Sequence, residues 1–455
     1  MSGHHAQFRI AYAPRGEDWG GAIARGIGIY FLAAGTLAVV APAGFWWLLV
    51  ATAIAIVGLL AFRHTVVCCA GWLLIAGATL EMALGDSLGG DAYQGIIALV
   101  KAAELALGLA CILRYGPAFD AFNPAFGYLF IFAAGLAHGL HPDLTPMDSL
   151  RSLAGSVAPF VFCFARLPRA WTRAIIGMTC WIPSLTVAAG AVLALAGFRP
   201  LFVESGGWRL AALGHPAFLG GFCLVAIEAC LIELLRDGRG RHLALLLANG
   251  AILIATGARA PLLYAVLVGL GTLLFVRSAA FSWRRRLGLL LGIAAALPLV
   301  AVAASALTDL RLFNLLTGEA GNLSGRDLLW PEFERAAAAS PWFGWGLGAG
   351  NVVIPSTSEV ARTIGSWAAH NEYLRMATEG GQIGGGLLIL LFFLWVFRHT
   401  ARLRRSERLV MRLAFVAFAC HAYTDNVLIS TSACVFFAFV AAVFARAERE
   451  ASAYH

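Results

Sequence analysis

A histidine in the C-terminal third of the chain has the chemistry of a general base. His370 lies in the sequence AHNEYL at residues 369–374. Imidazole titrates near neutral pH, so a neutral histidine takes a proton from an attacking hydroxyl under working conditions. A structural alternative also fits, because in a helix His370 would share a largely apolar face with Leu374 and Ala377. The residue types leave both interpretations open.

Three arginines and a second histidine are candidates for binding an anion. Arg326 follows a Ser-Gly pair, and its planar, permanently charged guanidinium suits a phosphate. Arg259 lies in TGARAP, an interruption between two apolar runs, and an arginine at membrane depth is costly unless it is paired. Arg209 and His215 lie together in WRLAALGHP. We expect all four on the outer face of the membrane.

Each of these residues also has a structural alternative. Arg326 could anchor its loop to Asp327 or to lipid head groups, and Arg259 could be an interfacial arginine that extends to the membrane surface. Arg209 and His215 could simply mark the start of a helix. Spacing alone does not decide between binding and anchoring.

The motifs of several other chemistries are missing from the sequence. It contains no His-Glu-x-x-His, no Gly-x-Ser-x-Gly and no compact acidic cluster. The alternating Gly344, Gly346, Gly348 and Gly350 could let backbone amides approach an anion, but they match neither the P-loop nor the dinucleotide fingerprint. We therefore expect no metal and no cofactor, and the glycines fit a flexible turn.

The elements that must position these residues are membrane helices. Of the 455 residues, 60% are hydrophobic and 13% are charged, and the mean hydropathy is +0.79. Soluble proteins carry about 25% charged residues, so the excess apolar surface must face lipid. The positive charge is spread over many short loops, which argues against nucleic-acid binding. The nine cysteines show neither a disulfide framework nor a zinc-site spacing.

Apolar runs of about 17 to 25 residues predict a polytopic all-α membrane protein with about 12 to 14 membrane segments. Arginines follow every second run, and short arginine-rich loops stay in the cytoplasm. Arginines precede the apolar run at 287–306 and follow the run at 383–397, so the far ends of these two runs are expected in the cytoplasm. Residues 308–380 between the runs are therefore expected outside as a large helical loop. The predicted domains are N-terminal membrane helices in 1–307, the loop domain in 308–380, and C-terminal membrane helices in 381–455.

Two helices inside the outer loop are expected to carry part of the candidate site. One is predicted to begin at Pro331, and another carries His370 and ends at Gly380-Gly381. Outward-facing arginines around a histidine, at the edge of a helical bundle, suit a lipid pyrophosphate as substrate. The histidine would deprotonate an acceptor hydroxyl, and the arginines would stabilise the departing pyrophosphate.

Several of these segments together resemble the signature region of the bacterial O-antigen ligase and polymerase superfamily. They are Ser324-Gly325-Arg326, Gly344-Trp345-Gly346-Leu347-Gly348, His370-Asn371-Glu372-Tyr373-Leu374, Glu379-Gly380-Gly381 with Gly384, and the upstream Thr256-Gly257-Ala258-Arg259. The number of spans and the late large outer loop agree with that family.

The resemblance implies a fold, a reaction and a location. The fold is GT-C-like, and the reaction is a metal-independent, inverting transfer of undecaprenyl-pyrophosphate-linked O-antigen to lipid A-core. It implies a multi-pass protein of the bacterial inner membrane, surrounded by membrane lipids, with a periplasmic active site. His370 would be the base, and Arg326 and Arg259 would contact the pyrophosphate, with Arg209 a third member.

Supporting residues and other functions stay open at this point. Asn371, Tyr373 and His215 are candidates for support of the site. An O-antigen or polysaccharide polymerase, or a protein O-oligosaccharyltransferase, shares the same motifs with a different acceptor. A transporter for an anionic substrate or lipid would also use outward-facing arginines and a broken helix.

Overall fold

The structure is a computed structural model, and it describes residues 64–79, 90–204, 207–277, 282–284, 286–288, 290–291, 326–364 and 366–452. The described residues from Thr65 onward belong to one compact unit, Thr65–His455. The predicted apolar runs at 22–41 and 45–62, most of the run at 287–306, and the Ser324-Gly325 pair lie outside the described residues.

Most of the described chain is helical. The helices, in chain order, are α1 (Thr65–Gly77), α2 (Gly90–Tyr115), α3 (Ala125–His138), α4 (Pro146–Val157), α5 (Arg169–Leu195), α6 (Pro216–Asp237), α7 (Gly240–Thr256), α8 (Arg259–Phe275), α9 (Arg326–Ala339), α10 (Glu359–Ile364), α11 (Glu372–Ala401), α12 (Arg405–Ala422) and α13 (Thr431–Ser452). Two 3-10 helices, Ala158–Phe164 and Ala349–Asn351, and one antiparallel hairpin, β1 (Phe202–Glu204) with β2 (Trp208–Leu210), complete it.

Five of these helices are long and apolar enough to cross a membrane. They are Gly95–Tyr115 within α2, and α5, α6, α11 and α13. Four shorter apolar helices, α1, α3, α7 and α8, accompany them. The prediction of an all-α, multi-pass membrane protein is confirmed. The predicted count of segments and the three-domain division stay predictions, because part of the chain is outside the described residues.

Two helices form the inside of the bundle. In α6 and α13, 83% and 78% of the apolar window is buried, against 28% to 33% in the other three long helices. Aromatic rings fill the centre, where Phe160 lies 4.4 Å from Phe437 between ring centroids and Trp395 lies 5.3 Å from Phe444. Such pairs contribute about 0.5 to 1.5 kcal/mol each beyond their burial. The outer helices therefore keep apolar faces free for lipid.

Helix α11 is broken about one third of the way along its length. Gly381 has φ 59° and ψ −163°, so the helix is interrupted and then continues to Ala401. The amide of Ile383 donates to the carbonyl of Trp342 at 3.1 Å, a bond to the neighbouring loop rather than to the preceding turn. The expectation that the helix ends at Gly380-Gly381 is confirmed, because the helical backbone stops at Gly381 and a second helical segment continues to Ala401. The loop supplies the partners that the break removes from the helix.

Candidate active site

His370 lies just outside the helix that follows it. Helix α11 begins at Glu372, and the Oδ1 atom of its N-cap residue Asn371 accepts a hydrogen bond from the Leu374 amide at 3.1 Å. His370 itself has φ 48°, in the left-handed region that side chains other than glycine rarely adopt. The expectation that His370 shares a helix face with Leu374 is therefore wrong, because the Asn371 cap starts the helix two residues later.

The imidazole of His370 has a partner at each ring nitrogen. Nδ1 lies 3.1 Å from Oδ1 of Asp425, and Nε2 lies 3.0 Å from Oγ of Ser366. A carboxylate accepts only, so Nδ1 carries the proton and the Ser366 hydroxyl donates to the lone pair of Nε2. The side chain is 36% exposed. An acceptor hydroxyl that replaces the serine hydroxyl would meet this lone pair.

Asp425 is held in its ionised form. Burial by itself raises the pKa of its carboxyl, but the hydrogen bond and charge of His370, the nearby His421 and the Asn426 amide together bring that pKa below its usual value. The Asn426 amide donates to Oδ1 at 2.8 Å. The carboxylate therefore orients the imidazole of His370 and can stabilise its protonated form.

Arg326 is attached to the residue that precedes Asp425. Its Nη2 donates to the carbonyl of Thr424 at 2.6 Å. Helix α9 includes Arg326, so the expectation that this helix begins at Pro331 is wrong, and Pro331 lies inside it. Arg326 and His370 are thus brought together by two consecutive residues of the turn between α12 and α13.

The alternating glycines do not form an anion cradle. In the glycine loop (residues 344–350), the amide of Trp345 donates to the carbonyl of Thr378 and the amide of Gly346 donates to the carbonyl of Glu379, each at 2.9 Å. These carbonyls belong to the part of α11 before its break. The loop therefore packs against α11 and supports the segment that begins beside His370.

A buried ion cluster ties the start of α11 to the rest of the site. Arg375 pairs through Nε with Oε2 of Glu372 at 2.6 Å and through Nη1 with Oε2 of Glu379 at 2.8 Å. All three side chains are buried. Oε1 of Glu372 accepts from the Leu428 amide at 2.6 Å, three residues after Asp425. The cluster therefore fixes the segment that carries His370 relative to the turn that carries Asp425.

The upstream arginines form a second group. The buried Arg209, on strand β2, donates through Nε to the carbonyl of Thr256 at 2.8 Å. Arg259 lies three residues further on, exposed, as the first residue of α8. A connection toward His370 runs through Tyr264 of α8, whose ring centroid is 5.3 Å from that of His421. The carbonyl of His421 accepts from the amide of Asp425 at 2.9 Å.

The three supporting candidates have structural contacts. The side chain of Asn371 caps α11, and the hydroxyl of Tyr373 donates to the carbonyl of Ala419 at 2.9 Å. His215 caps α6 and accepts from the amide of Ala217 at 3.2 Å. Asn371 and Tyr373 follow His370 within three residues, whereas His215 lies at the start of another helix. Their roles in the reaction stay predictions.

Residues 243–389 match the family model described as O-antigen ligase. This region belongs to the O-antigen ligase superfamily. It is therefore related to enzymes of glycosyl transfer, and the resemblance noted from the sequence is confirmed. A search of curated proteins found no match. The O-antigen ligase region contains Arg259, Arg326 and His370, whereas Arg209 and Asp425 lie outside it.

Asp425 and Ser366 were not predicted as site residues from the sequence. Asp425 lies in the short polar break Thr424-Asp425-Asn426 between two apolar runs, and a carboxylate in such a break is a usable signal. Ser366 lies four residues before His370 and has no motif of its own.

Proposed function

We propose that this member of the O-antigen ligase superfamily transfers a glycan from undecaprenyl pyrophosphate to lipid A-core at the periplasmic face of the bacterial inner membrane. The observation that carries the proposal is the anchoring of His370 and Arg326 on the adjacent residues Asp425 and Thr424. A base and a phosphate-binding cation are thereby held next to one another. The family match supports the class of reaction, and the geometry supports these residues as its site.

The proposed reaction begins with His370. Its Nε2 takes the proton of the acceptor hydroxyl as the hydroxyl oxygen attacks the anomeric carbon of the donor sugar. The bond from that carbon to the pyrophosphate oxygen breaks on the opposite face, so the configuration inverts. Asp425 stabilises the imidazolium, which then returns its proton to water. The leaving pyrophosphate needs no protonating acid.

The arginines of the proposed site stabilise charge on the leaving group. One N–H of Arg326 is used by the Thr424 carbonyl, which leaves further donors of the guanidinium for phosphate oxygens. No ion pair joins Arg326 to a carboxylate among the residues that the structure describes. Arg259 and Arg209 are proposed to bind the same pyrophosphate from the second group. Donors fixed before the reaction are the most effective stabilisers of developing charge.

A reconstituted assay tests the proposal. Purified wild-type protein receives lipid-linked glycan and lipid A-core without ATP, and formation of the joined lipopolysaccharide is followed. We expect His370→Ala to lower turnover by about 10²- to 10⁴-fold. The matched control is His138→Ala, which removes an exposed histidine at the end of α3. Unchanged turnover in His370→Ala would reject the base.

The products that accumulate in a null strain identify the acceptor. Loss of a ligase leaves long, polymerised lipid-linked chains, whereas loss of a polymerase leaves single repeats. Accumulation of single repeats would replace the ligase assignment with polymerisation at the same site. The assignment of His370 would then be tested with lipid-linked glycan as acceptor.

A further inference from the structure

A mixed-charge cavity lies beside the C-terminal end of α11, whereas His370 precedes the N-terminal end of that helix. Its volume is about 150 Å³. The lining includes Phe119, Asp120, Arg398, His399, Arg402 and Glu448. Helix α11 begins at Glu372, beside the candidate active site, and reaches His399 after 27 residues, at most about 40 Å away at 1.5 Å per residue. The lining of the cavity includes neither His370 nor Asp425 nor Arg326.

Two acidic and three basic side chains line this cavity. Arg402 pairs through Nη1 with Oε1 of Glu448 at 2.6 Å, and Nε2 of His399 lies 2.6 Å from Oδ2 of Asp120. Arg398 is the loosest member, because its Nη1 lies 3.8 Å from Oδ1 of Asp120. Cationic and anionic groups are thus present in the same space.

Two of the basic side chains that line the cavity have nitrogen atoms that make no hydrogen bond within the described part of the chain. Among the described residues, Arg398 donates no hydrogen bond, and its side chain is 49% exposed. His399 is only 12% exposed, yet its Nδ1 has no hydrogen-bond partner and lies 3.7 Å from Oε1 of Glu448. Buried polar atoms of native proteins usually have a partner. A polar molecule in the cavity would supply one.

The edge of the cavity is apolar. Phe119 is exposed, and the ring of Phe444 stacks on His399 at 4.8 Å between centroids. On the N-terminal side of the cavity residues of α11, Phe397 and Phe393 are also exposed. A ligand that combines a charged head with apolar chains fits this arrangement, because its chains can follow the exposed helix faces while its head enters the cavity.

We propose that the cavity binds the headgroup of a membrane phospholipid that carries both a phosphodiester and a primary ammonium. Arg398 and Arg402 bind the phosphate oxygens through their planar guanidinium groups. Glu448 and Asp120 accept hydrogen bonds from the ammonium. A purely anionic headgroup carries no ammonium group to donate to these two carboxylates. A quaternary ammonium offers no N–H donor to them.

Lipid retention measured by native mass spectrometry tests the site. Full-length protein is exchanged into mixed micelles that contain phosphatidylethanolamine, phosphatidylcholine and phosphatidylglycerol in equal amounts. We expect one phosphatidylethanolamine per chain to be retained in preference to the other two. Arg398→Gln should weaken that retention by about tenfold, the change expected from losing one charge-assisted hydrogen bond. Arg405→Gln, an exposed arginine at the same end of the bundle and outside the cavity, should retain the lipid as wild type does.

A soluble competitor and a second Arg398 variant distinguish the possible outcomes of this experiment. Soluble glycerophosphoethanolamine is added as competitor, and its displacement of the lipid at low millimolar concentration would overturn a lipid as the ligand in favour of a free phosphoester. Arg398→Lys keeps the charge without the planar fork and serves if Arg398→Gln fails to fold; it should also weaken retention. Equal retention of all three lipids, preference for phosphatidylglycerol, or full retention in both Arg398 variants would overturn the proposal.

Discussion

The carboxylate of Asp425 lies 3.1 Å from the imidazole of His370, across 55 residues of chain. The two residues belong to different segments, the turn after α12 and the residue before the N-cap of α11. Only the folded bundle brings them together. The contact assigns the protonated nitrogen of His370 and leaves the other nitrogen for a substrate hydroxyl.

Replacing Asp425 by asparagine should leave the bundle intact and lower turnover by about 10²- to 10⁴-fold, because an amide no longer stabilises the imidazolium or fixes the tautomer. The measurement is the rate of glycan transfer at saturating donor and acceptor. Asp143→Asn, in the exposed loop before α4, is the matched control and should behave as wild type. Full activity of Asp425→Asn would contradict an orienting role.

The same contact predicts how stability depends on pH. The pKa of Asp425 is lowered below its ordinary value of 3.8, because the hydrogen bond and charge of His370 and the neighbouring groups outweigh burial. A carboxyl group whose pKa is lower in the folded state than in the unfolded state stabilises the folded state at pH values above the unfolded-state pKa. That contribution is lost as the pH falls through the folded-state pKa. The difference in thermal midpoint between wild type and Asp425→Asn should therefore shrink as the pH drops below about 4. A difference that grows with acidity would contradict this sign.

Arg326→Lys tests whether the guanidinium shape is needed. Lysine keeps the positive charge but cannot bind the Thr424 carbonyl and a phosphate with one planar fork. We expect kcat/KM for the lipid-linked donor to fall by about tenfold or more. Arg335→Lys, on the same helix and exposed, is the control. Wild-type kinetics in Arg326→Lys would show that charge alone suffices there.

Gly381→Ala tests the break in α11. A Cβ atom on Gly381 would lie 2.5 Å from the backbone of Trp342, and φ is positive. Strained backbone of this kind costs about 1 to 3 kcal/mol, so the thermal midpoint should fall. Gly386→Ala, in the same helix, meets no atom within 4 Å and should not lower it. Equal midpoints for both variants would mean that the break is not required.

Much of this arrangement can be predicted from local sequence. The length of the apolar runs and the scarcity of charge predict membrane helices, because a lipid environment tolerates little else. The residue types of His370 and Arg326 indicate a base and a phosphate-binding cation. The start of α11 was not predicted correctly, because His370 was expected inside the helix, although Asn371 followed by Glu372 is a typical N-cap sequence.

What the sequence alone determined, then, is the class of the protein and the chemical character of its candidate residues, since both depend on composition and on short segments. The tertiary structure decided which residues meet. The bond from Arg326 to Thr424 spans 98 residues, and the break at Gly381 depends on a loop that packs against it. Contacts of this kind arise from the packing of separate helices, which no short stretch of sequence specifies.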